Sequence, residues 1–255
     1  MSAFLRLAAT ATTLSLLLVA APTFAQEIAV PDSVTPEKVR AGSVLFNQGS
    51  CTFCHAPAGR GLGRNGPDLS DAEWLHSEGD YEGIFHTIWW GVERDELAAD
   101  PPFRFEMHPR GGMPWTRPQT HQVAAYVWTI SRPETSRYVT TQAEMVTLAR
   151  EGDAMKAVEV YRRAAGQWPD QPLLSERGVN ALGYERIGSE DVDGAIALFE
   201  LNTELHPDSW NAWDSLAEGH MIAGNRERAI ELYRKSLEMN PENENAREKL
   251  VELGA

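Results

Sequence analysis

Two cysteines, three residues apart and followed at once by a histidine, constrain this chain more than any other feature. They form Cys51-Thr52-Phe53-Cys54-His55, and no further cysteine occurs in the 255 residues. Stapling by a disulfide framework is therefore excluded. A structural zinc site needs four ligands, and there is no second cysteine pair to complete one. A redox dithiol of this spacing would stand at a strand-to-helix junction. The motif instead follows Pro36 to Gln48, which reads as a helix. Pro36 suits a first helical turn, and Val39, Ser43, Leu45 and Phe46 give a mixed apolar face.

The remaining reading of C-x-x-C-H is the attachment signature of c-type haem. Two thiols on one helical turn reach the two vinyl groups of one porphyrin. The imidazole of the next residue then faces the iron from the same side. Such attachment happens outside the cytoplasm, and the start of the chain agrees. Residues 1–25 read as a secretory signal, with Arg6 as the only charge, an apolar run from Leu7 to Ala21, a break at Pro22 and Thr23-Phe24-Ala25 before the cleavage point. The run falls short of the roughly 20 residues that span a bilayer, and no later stretch is apolar enough to do so. The mature chain is expected to begin near Gln26 and to be soluble and periplasmic. Its balance is acidic, since Lys and Arg total 23 against 37 Asp and Glu, for a net charge of −14. That excludes a nucleic-acid binder, which needs a basic face for phosphates.

Residues 36–133 resemble a class I c-type cytochrome. The resemblance rests on Cys51-Thr52-Phe53-Cys54-His55, on Gly66-Pro67-Asp68-Leu69 and on Gly111-Gly112-Met113-Pro114. It implies an all-α domain with one covalent haem c, held by Cys51 and Cys54 and with His55 on the iron. It also implies that Gly42 and Phe46 lie where the first helix packs on the last. The Pro67 carbonyl would accept the His55 N–H and fix the ring tautomer, and Leu69 would touch the haem face. Met113, 58 residues after His55, is expected as the sixth ligand. A thioether stabilises reduced iron, and the proline after it stiffens the loop. Met107 and His108 share that loop and are its nearest rivals, ahead of His76, His86 and His121. His86 is expected to be half-buried or solvated, and His121 to be an exposed first-turn residue. Arg104 and Arg110 are candidates for haem propionates, with a solvated loop charge as the alternative for each. At least one of Trp89, Trp90 and Trp115 is expected against the porphyrin.

The same stretch contains Gly61-Leu62-Gly63-Arg64-Asn65-Gly66, literally G-x-G-x-x-G. A dinucleotide fingerprint must follow a strand and open a helix. This one follows the haem motif and runs into Pro67, so it reads as a loop in which glycine permits close approach to the porphyrin edge.

After Arg132-Pro133 the composition turns to Ala, Leu and Glu, with a period of 34. Leu182, Ala195, Ile196, Leu198, Phe199 and Pro207 recur as Leu216, Ala229, Ile230, Leu232, Tyr233 and Pro241. Period and residue types resemble the tetratricopeptide repeat, a helix–turn–helix unit. An earlier unit carries Ala157, Tyr161, Ala164 and Pro169 at an offset of 38, which implies four extra residues around Asp170 to Gly178. A last helix near 243–253 presents Ala246, Leu250 and Leu253 as a capping stripe. Residues 140–255 thus read as two clear repeats, one degenerate repeat and a cap.

The fold class expected is all-α: a class I cytochrome c domain followed by a short tetratricopeptide array. The expected function is one-electron transfer by His55/Met113-ligated haem, without catalysis of its own. Partners are expected to be a dehydrogenase or oxidase component, with a protein or peptide docked in the repeat groove. From Val139 onward the net charge is −10, against −5 for residues 26–138, so the acidity speaks more to docking than to the haem. Two alternatives remain at this stage. One is a haem sensor or peroxidase-like protein with a labile sixth ligand. The other is a repeat scaffold with a structural haem domain.

Overall fold

A computed structural model describes residues 28–71, 73–97 and 103–255; the signal expected over 1–25 lies outside them. Among the described residues the chain is all-α. It has no strand, only two isolated bridges, Arg60 with Asp68 and Val92 with Met107.

The first half is built from α1 (Pro36–Gln48), the short α2 (Cys51–His55), α3 (Tyr81–Trp90) and α4 (Arg117–Ile130). Local sequence fixes their starts. The Thr35 hydroxyl accepts the Lys38 N–H at 3.3 Å, with Pro36 in the first turn. Thr116 and Gln119 form a reciprocal capping box on α4. Helix α1 crosses α4 through Gly42 and Phe46, and α3 lies along α4. The long loops between these helices carry the site.

The second half is a run of helix hairpins: α5 (Arg137–Glu151) with α6 (Ala154–Ala165), α7 (Glu176–Gly188) with α8 (Val192–Leu205), and α9 (Trp210–Ile222) with α10 (Arg226–Met239), followed by α11 (Glu244–Glu252). Ala195 and Ala229, both fully buried, are the small residues at which paired helices meet. Pro207 and Pro241 fall two residues beyond the ends of α8 and α10. In α11, Ala246 and Leu250 are buried against the last hairpin, with Leu253 partly so.

The two halves share a core. One cluster of buried side chains runs from Val34 and Phe46 through Val127 and Tyr138 to Leu198 and Leu201. The seam is closed by the connection between α6 and α7, where the repeat period had shown its extra residues. Leu173 and Leu174 are buried there. Tyr138 Oη donates to the Pro172 carbonyl at 2.9 Å, and Gln142 Nε2 donates to the Leu173 carbonyl. Ser175 Oγ donates to the Asn47 carbonyl at the end of α1 at 2.6 Å, and Arg40 Nε reaches Gln171 at 2.5 Å. Gln142 is fully buried and also binds Ser43 Oγ (3.0 Å) and Tyr126 Oη (2.6 Å). A buried amide without partners would cost about 1–3 kcal/mol. Here both of its ends are used: the oxygen accepts from Tyr126 on the first half, and the nitrogen is shared between Ser43 on the first and Leu173 on the second.

Candidate functional site

The site begins where α1 stops. Gly49 closes that helix, its N–H on the Leu45 carbonyl at 2.9 Å, and α2 starts two residues later. The single turn and a half of α2 carries Cys51, Cys54 and His55. Ala56 at φ +58° then turns the chain away. Gly66 brings the returning loop against α2, because a Cβ there would lie 2.7 Å from the Cys54 carbonyl oxygen. That approach sets Pro67 under the histidine: His55 Nδ1 is 3.0 Å from the Pro67 carbonyl oxygen.

Burial holds the His55 pKa below its ordinary value. The ring is therefore neutral, with Nδ1–H donated to Pro67 and the Nε2 lone pair left to bind a metal. Burial pushes the Cys51 thiol up to about 12, and the Cys54 thiol is raised by the same cause. The two form no disulfide with each other. Protonated thiols in an apolar setting are the opposite of a reactive dithiol, which needs a stabilised thiolate.

All three side chains line one cavity of about 390 Å³, within the usual range for ligand pockets, about 300–1,000 Å³. Its walls are largely apolar, among them Phe46, Leu69, Trp74, Ile84, Ile88, Trp115, Val123 and Val127. An apolar cavity of that size, with two thiols and one imidazole from a single helix, fits a flat macrocycle held at its edge and ligated from one face. It fits water poorly.

Of the residues singled out in the sequence, Cys51, Cys54, His55, Pro67 and Leu69 come together on this cavity. Met113 is not among the residues lining it, whereas Met107, His108 and His76 are. His86 is exposed. His121, expected to be exposed, is half-buried: its ring stacks on Phe85 at 4.0 Å between centroids, and Nδ1 lies 2.9 Å from Tyr81 Oη. Trp115 lines the cavity, while Trp89 and Trp90 do not. The arginine on the wall is Arg94 rather than Arg104 or Arg110, and Arg110 lies over the Trp89 ring at 5.0 Å.

Sequence reading missed Trp74, which lies in a stretch with no periodicity to mark it. It also missed an aromatic pair. Phe53, between the two cysteines, and Phe105, in the methionine loop, have centroids 5.6 Å apart; both line the cavity, yet they are 59% and 43% exposed. The G-x-G-x-x-G stretch is a loop with one 3-10 turn at Gly63–Asn65 and no strand before it.

Comparison with known families places a cytochrome c domain at residues 39–131 and a tetratricopeptide repeat at residues 210–253. Among curated proteins, the chain is 35% identical over 102 residues to "Cbb3-type cytochrome c oxidase subunit FixPc" of Rhizobium leguminosarum bv. viciae, a match covering 38% of this chain and 32% of that one. It is 32% identical over 122 residues to "Cbb3-type cytochrome c oxidase subunit FixP" of Sinorhizobium medicae (strain WSM419), covering 48% and 40%. The chain thus spans less than half the length of either relative. Among the described residues, no helix is long and apolar enough to cross a membrane.

Proposed function

We propose that this chain, in which a cytochrome c domain bearing covalent haem c precedes a tetratricopeptide repeat, is an exported carrier of single electrons whose repeat half receives a protein partner. The observation that supports it best is His55. Its Nδ1 is committed to the Pro67 carbonyl at 3.0 Å and its ring sits beside Cys51 and Cys54 on one apolar cavity.

Haem c supplies a reversible one-electron couple at its iron. The chain supplies the rest. Cys51 and Cys54 hold the porphyrin edge by thioether bonds, so the group stays in place through repeated turnover. The Pro67 carbonyl holds the His55 ring in one tautomer and one orientation, and so keeps Nε2 aimed. Leu69, Ile84, Ile88 and Val127 exclude water, which limits solvent rearrangement when charge changes. Phe53 and Phe105 expose apolar surface at the same cavity, where a partner's redox group must approach. The names of the relatives make a cytochrome c oxidase the first partner to test, and a dehydrogenase is the proposed source of electrons.

The whole protein should be produced with its leader in a host that exports and matures c-type cytochromes. The expected outcome is a periplasmic protein that begins near Gln26, keeps its haem under denaturation and shows one reversible one-electron wave. It should be oxidised by oxidase-containing membranes. Cys51→Ser with Cys54→Ser should lose the denaturation-resistant haem. A protein without covalent haem, or one that turns over peroxide instead of passing electrons, would overturn the proposal.

A further inference from the structure

The turn that leaves the haem motif is held in a costly shape. Ala56 and Ala58 are buried at φ +58° and +56°, and Gly59 and Gly61 follow at +72° and +70°. Alanine keeps such a conformation only where its surroundings dictate it. Resting on the haem reading above, we propose that Arg60, between the two glycines, is a positioning residue: with Thr147 of the repeat half it braces the loop that orients His55.

Backbone contacts first join the turn to the Pro67 loop. Gly61 N–H donates to the His55 carbonyl at 2.8 Å, and Leu69 N–H donates to the Gly59 carbonyl at 2.7 Å. Arg60 and Asp68 form a bridge between them. The two segments touch closely, since a Cβ on Gly61 would lie 2.8 Å from the Asp68 backbone nitrogen.

The Arg60 side chain then ties this pair of segments to the second half. Its Nη2 donates to Thr147 Oγ1 on α5 at 2.5 Å, and its Nη1 donates to Ser70 Oγ at 3.4 Å. Ser70 turns back on the same loop: its N–H and its hydroxyl both donate to Asp68 Oδ1, at 2.7 and 2.6 Å. Asp68 follows Pro67 directly. A chain of contacts thus runs from α5 to the carbonyl that holds His55 Nδ1. A forked guanidinium reaches two oxygens at once, which a single ammonium does not.

His55, Pro67, Asp68 and Leu69 line the cavity, whereas Arg60, Ser70 and Thr147 do not. Their contact with the site runs through the loop. The seam contacts of Gln142 and Ser175 reach α1 and α4; this one reaches the histidine. A carbonyl held firmly on Nδ1–H makes the other ring nitrogen a stronger donor, and a stronger donor favours ferric iron. Loosening the brace should therefore weaken the Pro67 bond and raise the midpoint potential.

The test uses the matured whole protein, with the His55 Nδ1 proton followed by NMR in the reduced state. Thr147→Val removes the acceptor without changing charge, and Arg60→Lys keeps the charge without the fork. Both are expected to exchange that proton with solvent several-fold faster than wild type and to raise the midpoint potential. The double variant should do no more than the larger single one, because both break the same brace. Thr147→Ser restores the hydroxyl and should restore both properties. Arg162→Gln, which breaks an ion pair with Glu204 inside the repeats, should alter neither. Unchanged exchange or potential in either brace variant, whatever its melting temperature, overturns the proposal, as does an equal change in Arg162→Gln. Should Arg60→Lys fail to mature, Thr147→Val against Thr147→Ser decides alone. A wild-type protein without covalent haem would sink the parent proposal instead, and the haem absorption distinguishes the two failures.

Discussion

Gly42 and Gln122 meet backbone to backbone: a Cβ at Gly42 would lie 1.9 Å from the Gln122 carbonyl oxygen and 2.9 Å from the Tyr126 Cβ. The crossing of α1 and α4 is therefore closer than any side chain allows, and it carries the haem motif on one end. Gly42→Ala must push the helices apart. Overpacking of this kind costs about 3 kcal/mol. Chemical denaturation of the matured protein should show that loss as a lower midpoint, and an unchanged midpoint would contradict so tight a crossing.

Tyr126 Oη donates to Gln142 Oε1 at 2.6 Å, linking α4 to α5 inside the common core. Tyr126→Phe leaves the Gln142 carbonyl without that partner, at about 1–3 kcal/mol. Because the core is shared, haem absorption and far-ultraviolet circular dichroism should report one coincident unfolding transition in both wild type and variant. Two separated transitions would show that the halves unfold independently.

His121 carries a pH dependence whose sign is fixed by its surroundings. Partial burial, then Arg117 and Lys38, hold its pKa below the ordinary value of about 6.5, with Glu82 opposing. In the folded state the ring resists a proton that the unfolded chain accepts. Its contribution is therefore complete above about pH 6.5 and declines as the pH falls below that value. His121→Phe keeps the stack on Phe85 and removes the titration. Denaturation midpoints between pH 7.5 and 5.5, both assay conditions of about the range where histidine titrates, should fall less steeply in the variant.

Gly91 sits at φ +80° with the Met107 carbonyl directly beside it. Gly91→Ala meets both backbone strain and a clash, together about 2–4 kcal/mol. A thermal melt should show the drop.

The parts legible in the sequence were those fixed by local chemistry. Cys51, Cys54 and His55 share one helical turn, so their spacing shows their joint action. The 34-residue period exposes helices α7 to α10 because each repeat buries the same small and aromatic positions. Two features escaped. The contact between Phe53 and Phe105 at the cavity mouth joins residues far apart in the chain, and no motif encodes it. The shared core depends on Gln142 and on backbone carbonyls at Pro172 and Leu173. Hydrophobic patterning has no means of finding a buried amide, and the four added residues looked like a lapse in the repeat rather than its attachment.

The α6–α7 connection lies between Asn47, four residues before Cys51, and the first turn of α7. On the proposed function, a protein gripped by the repeats would meet the haem cavity at a bearing set when the chain folds. It would not search at the end of a leash. Electron-transfer rates across such a pair should be insensitive to solvent viscosity once the complex has formed, and they should respond to residues that tilt the array, such as Leu173 and Ser175, although neither lines the haem cavity. In that role the repeats would act less as a hook than as a protractor.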